Sequence, residues 1–348
     1  MSTTRQLLLF TLLTTAPLAG CTRLGFDTPR EADLALVDTR ADVLLRDAAH
    51  DTAPHDTSPH DITAHDTAPA DLGPSKPLPC IAPSHVDGTG AWADLREVTL
   101  RSDGLTLTAR KGSGPGVTYA TQRSAWGQPF GLWKSVAFPT TTQEDPTFFP
   151  WKNAEAAIVA KFQTLGGPRS LFFCTLTPSW TCQGIVVRRA STGLPIPITD
   201  DMDGASVAVL PDGSVLMAHN VAGATSVGAD IYLAHPTIPG DLTNWTTSPI
   251  LTLTDPNLKE DDPALSPDGL VIIFAATGPG TDGDLWISRR VSLTDPFPTP
   301  ILLATANSAS DESSASLAPI PGQPGHYELF FISDRNGNDQ VYRTTCGP

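Results

Sequence analysis

Oxygen-bearing side chains recur at a fixed distance before a series of turns. Carboxylates brought together from separate strands can donate and accept protons, and a pair separated by about 5 to 10 Å can hydrolyse a glycosidic bond. Asp203 and Glu312 lie just upstream of two of the positions in this series. Counting back six residues from each turn finds the five positions Glu97, Asp145, Ser206, Asp262 and Ser314.

The turns belong to an internal repeat with a period of about 50 to 60 residues. In each copy a turn precedes a run of apolar and β-branched residues, and a second apolar strand that contains an aromatic residue follows. The clearest copies are SPDGLVIIFAAT (266–277), LPDGSVLMAHNV (210–221) and RSDGLTLTARKG (101–112). Weaker copies are FPWKNAEAAIVAKF (149–162) and APIPGQPGHYELFFIS (318–333).

Each repeat is long enough for a small antiparallel sheet of four strands. Such a sheet is apolar on both faces, so radial stacking of the copies is required to bury them. We predict an all-β domain over residues 80–348, a β-propeller with five blades. A sixth blade that uses residues 81–96 is the alternative. Residues 266–290 are expected to form the first three strands of blade 4.

The repeats resemble those of TolB-type periplasmic propellers. The resemblance rests on PALSPDGLVIIFAAT and GDLWISRR in the fourth copy, and on LFFISDRNGNDQVYRTT in the fifth. It is good over residues 261–348, moderate over 201–260 and poor over 93–200. TolB carries a second α/β domain before its propeller, which this chain replaces with a different kind of segment, so TolB's partners are not carried over.

A propeller converges its first strands on a central channel, where we expect ligand contacts. We predict a module that binds a protein or a glycan, or acts as a scaffold, rather than an enzyme. The alternative is a five-bladed glycan hydrolase, whose class uses three inward carboxylates, and Glu97, Asp145 and Asp262 would fill those roles. The binding candidates are Glu97, Asp145, Asp203, Asp262, Glu312 and Trp180.

The N-terminal 20 residues have the features of an export signal. Arg5 precedes an apolar run that is too short to span a bilayer. The run ends in Leu18-Ala19-Gly20-Cys21, which resembles the lipobox of bacterial lipoproteins. That resemblance implies cleavage before Cys21 and acylation of its thiol. Because Thr22 follows, the expected location is the bacterial cell envelope, at the outer membrane, on either its periplasmic or its surface face.

Residues 21–79 are expected to form a disordered tether. They contain HDTAPHDTSPHDITAHDTAPAD, in which His and Asp recur every five residues beside repeated Pro. Such a composition cannot bury enough apolar surface to fold. His and Asp are also metal ligands, but a flexible pentad presets no coordination geometry. We therefore predict a spacer and assign no metal site.

The acidic charge restricts the possible partners. Asp and Glu number 37 against 22 Lys and Arg, for a formal net charge of −15. Nucleic acid is excluded as a partner because its phosphates require clustered basic side chains. We expect a monomer without a cofactor that reaches the membrane through lipid on Cys21.

Four cysteines remain if Cys21 is acylated. An exported protein is oxidised, so disulfides are expected. Cys174 and Cys182 flank a predicted hairpin, and closure of a propeller ring would bring Cys80 beside Cys346. We therefore predict the pairs Cys174–Cys182 and Cys80–Cys346.

Overall fold

The computed structural model describes residues 77–86, 94–101, 103–112, 117–136, 143–162, 168–197, 200–222 and 229–347. The predicted signal peptide, Cys21 and nearly all of the predicted tether lie outside these residues. None of the described residues forms a helix long and apolar enough to cross a bilayer. The strands form five separate sheets, which is the arrangement of a five-bladed β-propeller.

Each blade is built on antiparallel strands that follow one another in the chain. Blade 3 gains one parallel strand, and blade 5 takes its outer strand from the start of the domain. Blade 1 contains β2 (Leu95–Leu100), β3 (Thr106–Lys111), β4 (Val117–Gln122) and β5 (Lys134–Ser135). Blade 2 contains β6 (Gln143–Trp151), β7 (Ala154–Phe162), β8 (Arg169–Leu176) and β9 (Trp180–Gly184). Blade 3 contains β11 (Met202–Val209), β12 (Val215–Ala222), β13 (Ala229–Pro236) and β14 (Asn244–Pro249), and β10 (Val186–Arg189) adds to it in parallel.

The last two blades follow the same plan. Blade 4 contains β15 (Lys259–Leu265), β16 (Val271–Thr277), β17 (Asp284–Arg289) and β18 (Ile301–Leu302). Blade 5 contains β19 (Glu312–Pro319), β20 (Tyr327–Ser333), β21 (Gln340–Cys346) and, as its outer strand, β1 (Ser84–His85). The prediction for residues 266–290 is wrong by one strand. They form the second and third strands of blade 4, because the inner strand β15 precedes the SPDG turn.

The ring closes through the two ends of the domain. Strand β1 pairs antiparallel with β21, and the disulfide Cys80–Cys346 joins the same two segments. The second disulfide, Cys174–Cys182, bridges β8 and β9 at a directly paired position. Both predicted pairs are confirmed. The segment predicted for a sixth blade instead supplies β1 to blade 5 and the start of β2 to blade 1.

Apolar clusters fill the seams between successive blades. Among the described residues they join blades 2 and 3, 3 and 4, 4 and 5, and 5 and 1. Trp245 is fully buried in the first of these, and Phe274 and Phe330 are buried in the second and fourth. Strand β20 is buried along its whole length, which is the two-sided burial that the apolar repeats predict.

Removal of the ring-closing disulfide by the pair Cys80→Ala and Cys346→Ala is expected to destabilise the domain more than removal of the hairpin disulfide. The loops closed span 266 and 8 residues. Chain entropy gives at most about 5 kcal/mol for the long loop and about 2.5 kcal/mol for the short one. Urea unfolding of both double variants measures the two losses. A larger loss for Cys174→Ala with Cys182→Ala would contradict the closure role.

Candidate functional site

All five inner strands are interrupted by a β-bulge at the same place. At the bulge, residues in four strands take the left-handed backbone region, with φ of 56° at Glu97, 57° at Gly204, 48° at Asp262 and 49° at Ser314. Non-glycine residues rarely adopt this region, and such outliers cluster at functional sites. The register shifts lie between Arg96 and Thr99, Glu144 and Thr147, Asp203 and Ser206, Asp261 and Ala264, and Ser313 and Ser316.

The bulges define one equivalent position in each blade. These positions are Glu97, Asp145, Gly204, Asp262 and Ser314, and the side chain of Asp145 lies outside the described part of the structure. Sequence counting identified four of the five. It chose Ser206 in blade 3 because the segment from the bulge to the turn is two residues longer there than in blade 4.

The bulges surround a narrow channel with a cavity of about 50 Å³. Its lining includes Val98, Phe148, Gly204, Asp262 and Ser314. Ligand pockets for drug-sized molecules measure about 300 to 1,000 Å³, so this space is too small to enclose a sugar. A ligand of that size would therefore contact these positions from the mouth of the channel.

Asp262 has the most perturbed environment in the ring. Burial, the neighbouring charge of Asp261 and the charge of Glu97 across the channel raise the pKa of Asp262 to about 7. Lys259 and Arg169 act in the opposite direction without reversing the shift. Asp262 therefore exchanges its proton near neutral pH, as a general acid or base requires.

Glu97 is held differently. Arg110 on β3 makes a bidentate ion pair with it, and Arg110 also donates to the carbonyl oxygen of Gly112 at 3.2 Å. The side chains of Glu97 and Arg110 are 12% and 5% exposed, respectively. This pair fixes the orientation of the Glu97 carboxylate, whose charge is one of the causes of the raised pKa of Asp262.

The chain before Asp262 is fixed to blade 3. Asn220 on β12 donates a hydrogen bond to Asp261, and Lys259 pairs with the same carboxylate. Gly204 packs directly against Asp262, since a Cβ added at Gly204 would lie 3.1 Å from the Asp262 backbone nitrogen and Cα. The position of Asp262 thus depends on a glycine in the neighbouring blade.

Hydroxyl groups two residues after the bulge join neighbouring inner strands. Ser316 accepts a hydrogen bond from the Leu100 backbone nitrogen at 2.8 Å. Ser206 accepts one from the Leu265 backbone nitrogen at 2.9 Å, and Thr147 donates to the Ala205 carbonyl. Ser206, which the counting placed in the ring, is therefore a contact between blades 3 and 4.

Glu312 lies away from the channel lining. It is fully buried in blade 5, where it accepts hydrogen bonds from Ser308, Ser333 and Arg335. These contacts occupy both of its oxygens, so the structure places it as a support within its blade. Asp203 precedes the bulge of β11, but its side chain lies outside the described residues.

Trp180 is the first residue of β9 and is only partly buried. It packs edge-on against Phe148, with ring centroids 5.9 Å apart. Trp180 also joins the apolar cluster of blade 2 with Phe172 and the Cys174–Cys182 disulfide. It therefore stiffens the hairpin while keeping part of its ring accessible.

Comparison with known proteins identifies the class of fold. No family model matches the chain, and no curated protein matches its sequence. A thermostable family-43 glycoside hydrolase matches with a TM-score of 0.52 and 9% identity, covering 75% of this chain and 91% of that one. An endo-arabinase from Bacteroides thetaiotaomicron VPI-5482 matches with a TM-score of 0.50 and 11% identity, covering 75% and 96%.

A putative TolB from Agrobacterium tumefaciens also matches, with a TM-score of 0.42 and 16% identity over 74% of this chain and 79% of that one. The identities show a shared fold only. The matches with TM-scores of 0.50 and 0.52 support the five-bladed propeller. The TolB protein is one match among several that are mostly named as arabinanases and other glycoside hydrolases.

The prediction of a binding or scaffold module is contradicted. Structures that share this fold at a TM-score of 0.50 or above include an endo-arabinase, a family-43 glycoside hydrolase and a xylan β-1,4-xylosidase, which agrees better with the alternative, a glycan hydrolase.

Substitution of Gly204 by Ala is expected to displace Asp262 and destabilise the seam between blades 3 and 4. The new methyl group would stand 3.1 Å from Asn220 and from the Asp262 backbone, in a left-handed conformation. We expect a loss of about 2–3 kcal/mol in urea unfolding, where conformational strain alone costs about 1 kcal/mol.

Gly213→Ala is the matched control. Gly213 has a φ of 80°, and a Cβ there meets nothing within 4 Å. It therefore incurs the strain without the contact. Equal losses for the two variants would show that Gly204 has no steric role at Asp262.

Proposed function

We propose that this propeller hydrolyses glycosidic bonds of a polysaccharide at the mouth of its channel. The observation that carries the proposal is that two carboxyl groups with unlike surroundings occupy one ring of bulges. Burial and neighbouring charges raise the pKa of Asp262 to about 7, whereas Glu97 is held in a bidentate ion pair by Arg110. Glycoside hydrolysis uses carboxyl groups whose environments separate their roles.

Asp262 serves as the general acid in this proposal. It donates its proton to the oxygen of the scissile bond, the bond between that oxygen and the anomeric carbon breaks, and the leaving sugar departs as an alcohol. Water bonds to the anomeric carbon, either directly as a general base takes its proton or after a carboxylate nucleophile has been displaced. The electrostatics support this role, because burial with the charges of Asp261 and Glu97 raises the pKa of Asp262 and keeps a large protonated fraction near pH 7.

Glu97 and Asp145 take the other two roles. Glu97 is bound by Arg110 through both oxygens, which suits a residue that tunes the protonation of Asp262 and not one that accepts a proton. Asp145 occupies the bulge of blade 2 and is proposed as the general base or nucleophile. This assignment rests on its backbone position, since its side chain is outside the described residues.

The domain is further proposed to act at the bacterial envelope. Acylation of Cys21 would anchor it, and residues 21–79 would hold the propeller away from the membrane surface. A tethered hydrolase would thereby reach polysaccharide at some distance from its anchor. The basis for this is the lipobox-like Leu18–Cys21 sequence and the composition of the segment that follows.

Asp262→Asn is expected to abolish release of reducing sugar from a polysaccharide panel, by at least about 100-fold, since general acid catalysis contributes that much. Arabinan and xylan head the panel. Asp212→Asn is the control, because Asp212 is an exposed turn carboxylate bonded to Ser214. No turnover by the wild-type domain on any polysaccharide, or full activity of Asp262→Asn, would refute the proposal.

The pH profile tests the role of Glu97 in the same assay. An acid whose pKa is about 7 loses activity as pH rises through that value. Glu97→Gln removes a negative charge that raises the pKa of Asp262, so its alkaline limb is expected at lower pH. An unchanged limb in a folded Glu97→Gln protein would exclude the tuning role.

Cys21→Ser is expected to abolish lipid attachment. The full chain expressed in a bacterium fed labelled palmitate is predicted to carry label and to sediment with membranes, whereas Cys21→Ser carries none. Label that persists in the variant would place the acylation elsewhere, and an unlabelled wild type would remove the lipoprotein proposal.

A further inference from the structure

Two consecutive blades bury a glutamate at the same point of the repeat. Glu260 on β15 and Glu312 on β19 each stand two residues before the bulge residue, and they are 1% and 0% exposed. Each accepts a hydrogen bond from a backbone nitrogen of the preceding loop, at 2.8 Å from Asp255 and 2.8 Å from Ser308. The inner strands of the two blades therefore carry a buried carboxylate at equivalent positions.

The partners of the two glutamates differ. In blade 5, Ser333 lies directly opposite Glu312 on β20 and donates at 2.7 Å, and Arg335 donates at 3.0 Å. Arg335 balances the buried charge. The sequence Ser-Asp-Arg over residues 333–335 supplies both groups to this one carboxylate.

Blade 4 lacks both the serine hydroxyl and the arginine. Ala276 lies opposite Glu260 where Ser333 lies opposite Glu312, and Gly278 stands in the place of Arg335. The space beside Gly278 is occupied, since a Cβ there would meet Thr281 at 3.1 Å and Leu258 at 3.2 Å. Among the described residues, the second oxygen of Glu260 has no hydrogen-bond partner.

The nearest charges make ionisation of Glu260 harder. Burial, opposed by the Asp255 hydrogen bond and reinforced by the charges of Asp230 and Asp255, raises the pKa of Glu260 to about 7. Asp230 on β13 is itself 5% exposed and has one oxygen without a partner within the described ranges. Burial raises the pKa of Asp230 as well.

The other strands packed against β15 offer no balancing cation to Glu260. Strand β16 (Val271–Thr277) contains no titratable side chain. On β12, burial lowers the pKa of His219 to about 4, so it is neutral at pH 7. Strand β13 also carries Tyr232, which is buried, and His235, which is exposed. The remaining titratable groups are Asp203 on β11, whose side chain is undescribed, Glu312 on β19, which pairs with Arg335, and three residues of β15 itself. These three are Lys259 and Asp261, which pair with each other, and Asp262.

We propose that the buried glutamate of blade 4, Glu260, is neutralised by a bound proton, whereas the buried glutamate of blade 5, Glu312, is balanced by Arg335. Glu260 is carried neutral in the folded propeller, and its deprotonation weakens the seam between blades 3 and 4. Because Glu260 and Asp262 are two residues apart on β15, this proton also controls how firmly the inner strand holds the channel position. The inference does not depend on the glycan-hydrolase proposal and is tested without any substrate.

The sign of the pH dependence follows from the direction of the shift. Glu260 has a raised pKa in the folded state, against a usual value of 4.5 in the unfolded chain. The folded state therefore holds the proton more tightly, and this stabilisation is fully present below about pH 4.5 and is lost as pH rises through about 7.

The experiment compares the thermal midpoints of the wild type, Glu260→Gln and Glu312→Gln between pH 5 and pH 8.5. Gln mimics the neutral acid, so Glu260→Gln is expected to match the wild type near pH 5 and to exceed it by about 3–6 °C at pH 8. Glu312→Gln, the matched control at the same repeat position, is expected to fall below the wild type at both pH values because Arg335 loses its partner.

Ala276→Ser provides a second variant should Glu260→Gln not fold. It restores the hydroxyl that blade 5 has at Ser333, and we expect it to raise the midpoint more at pH 8 than at pH 5. A lower midpoint of Glu260→Gln at pH 8 would overturn the proposal. So would stabilisation of the wild type, but not of Glu260→Gln, by millimolar calcium chloride at pH 8, because a metal ion would then replace the proton.

Discussion

Every blade of this propeller is apolar on both faces, and that property makes closure of the ring a condition for folding. An open row of blades would leave its first and last faces in water. Residues 77–86 solve this problem. They add β1 to blade 5, and they place Leu78 in the cluster between blades 4 and 5 and Val86 in the cluster between blades 5 and 1. The Cys80–Cys346 disulfide makes this pairing permanent.

Convergence of five inner strands on a narrow channel has a local consequence, which is the bulge that interrupts each of them. At the bulge the ladder is broken and the backbone turns left-handed. Side-chain hydroxyls of Thr147, Ser206 and Ser316 then link neighbouring blades where the ladder is interrupted. Contacts on either side thereby hold the strained position. The backbone of the surrounding strands, and not the rotamer preference of the residue, sets the direction of the side chain there.

The buried carboxylates of the inner strands differ in whether an arginine contacts them. Glu97 pairs with Arg110 and Glu312 pairs with Arg335. Asp262 and Glu260 have no such partner among the described residues, and burial raises the pKa of each to about 7. Both lie on β15. Among the described residues, this one strand of blade 4 therefore carries both carboxyl groups whose pKa is raised to about 7, and the proposed functional site and the proposed pH-dependent seam share it.

Much of this architecture is local information. The Pro-Asp-Gly turns, the apolar runs after them and the two-sided burial they require lead from the sequence to five blades. Ring closure then leads to the disulfide Cys80–Cys346, and a predicted hairpin leads to Cys174–Cys182. The same spacing leads to Glu97, Asp145 and Asp262. In these blades the turn lies at a fixed distance from the bulge, so the position of the turn identifies the inner-strand residue at the bulge. The local sequence does not show that residues 266–290 form the second and third strands of blade 4, because the inner strand that precedes them has no turn signal of its own.

Other features are decided only by contacts between blades. Gly204, and not Ser206, lies at the bulge because the segment from the bulge to the turn is two residues longer in blade 3 than in blade 4, and the role of Gly204 depends on Asp262 of the next blade. Glu312 belongs to the interior of blade 5 because Arg335, 23 residues later, reaches it. The protonation of Asp262 and of Glu260 depends on charges and burial contributed by separate blades. Composition and spacing determine where a carboxylate falls in the repeat. Its hydrogen-bond partner, its exposure to solvent and therefore its chemistry depend on strands distant in the chain, because only folding brings those strands together.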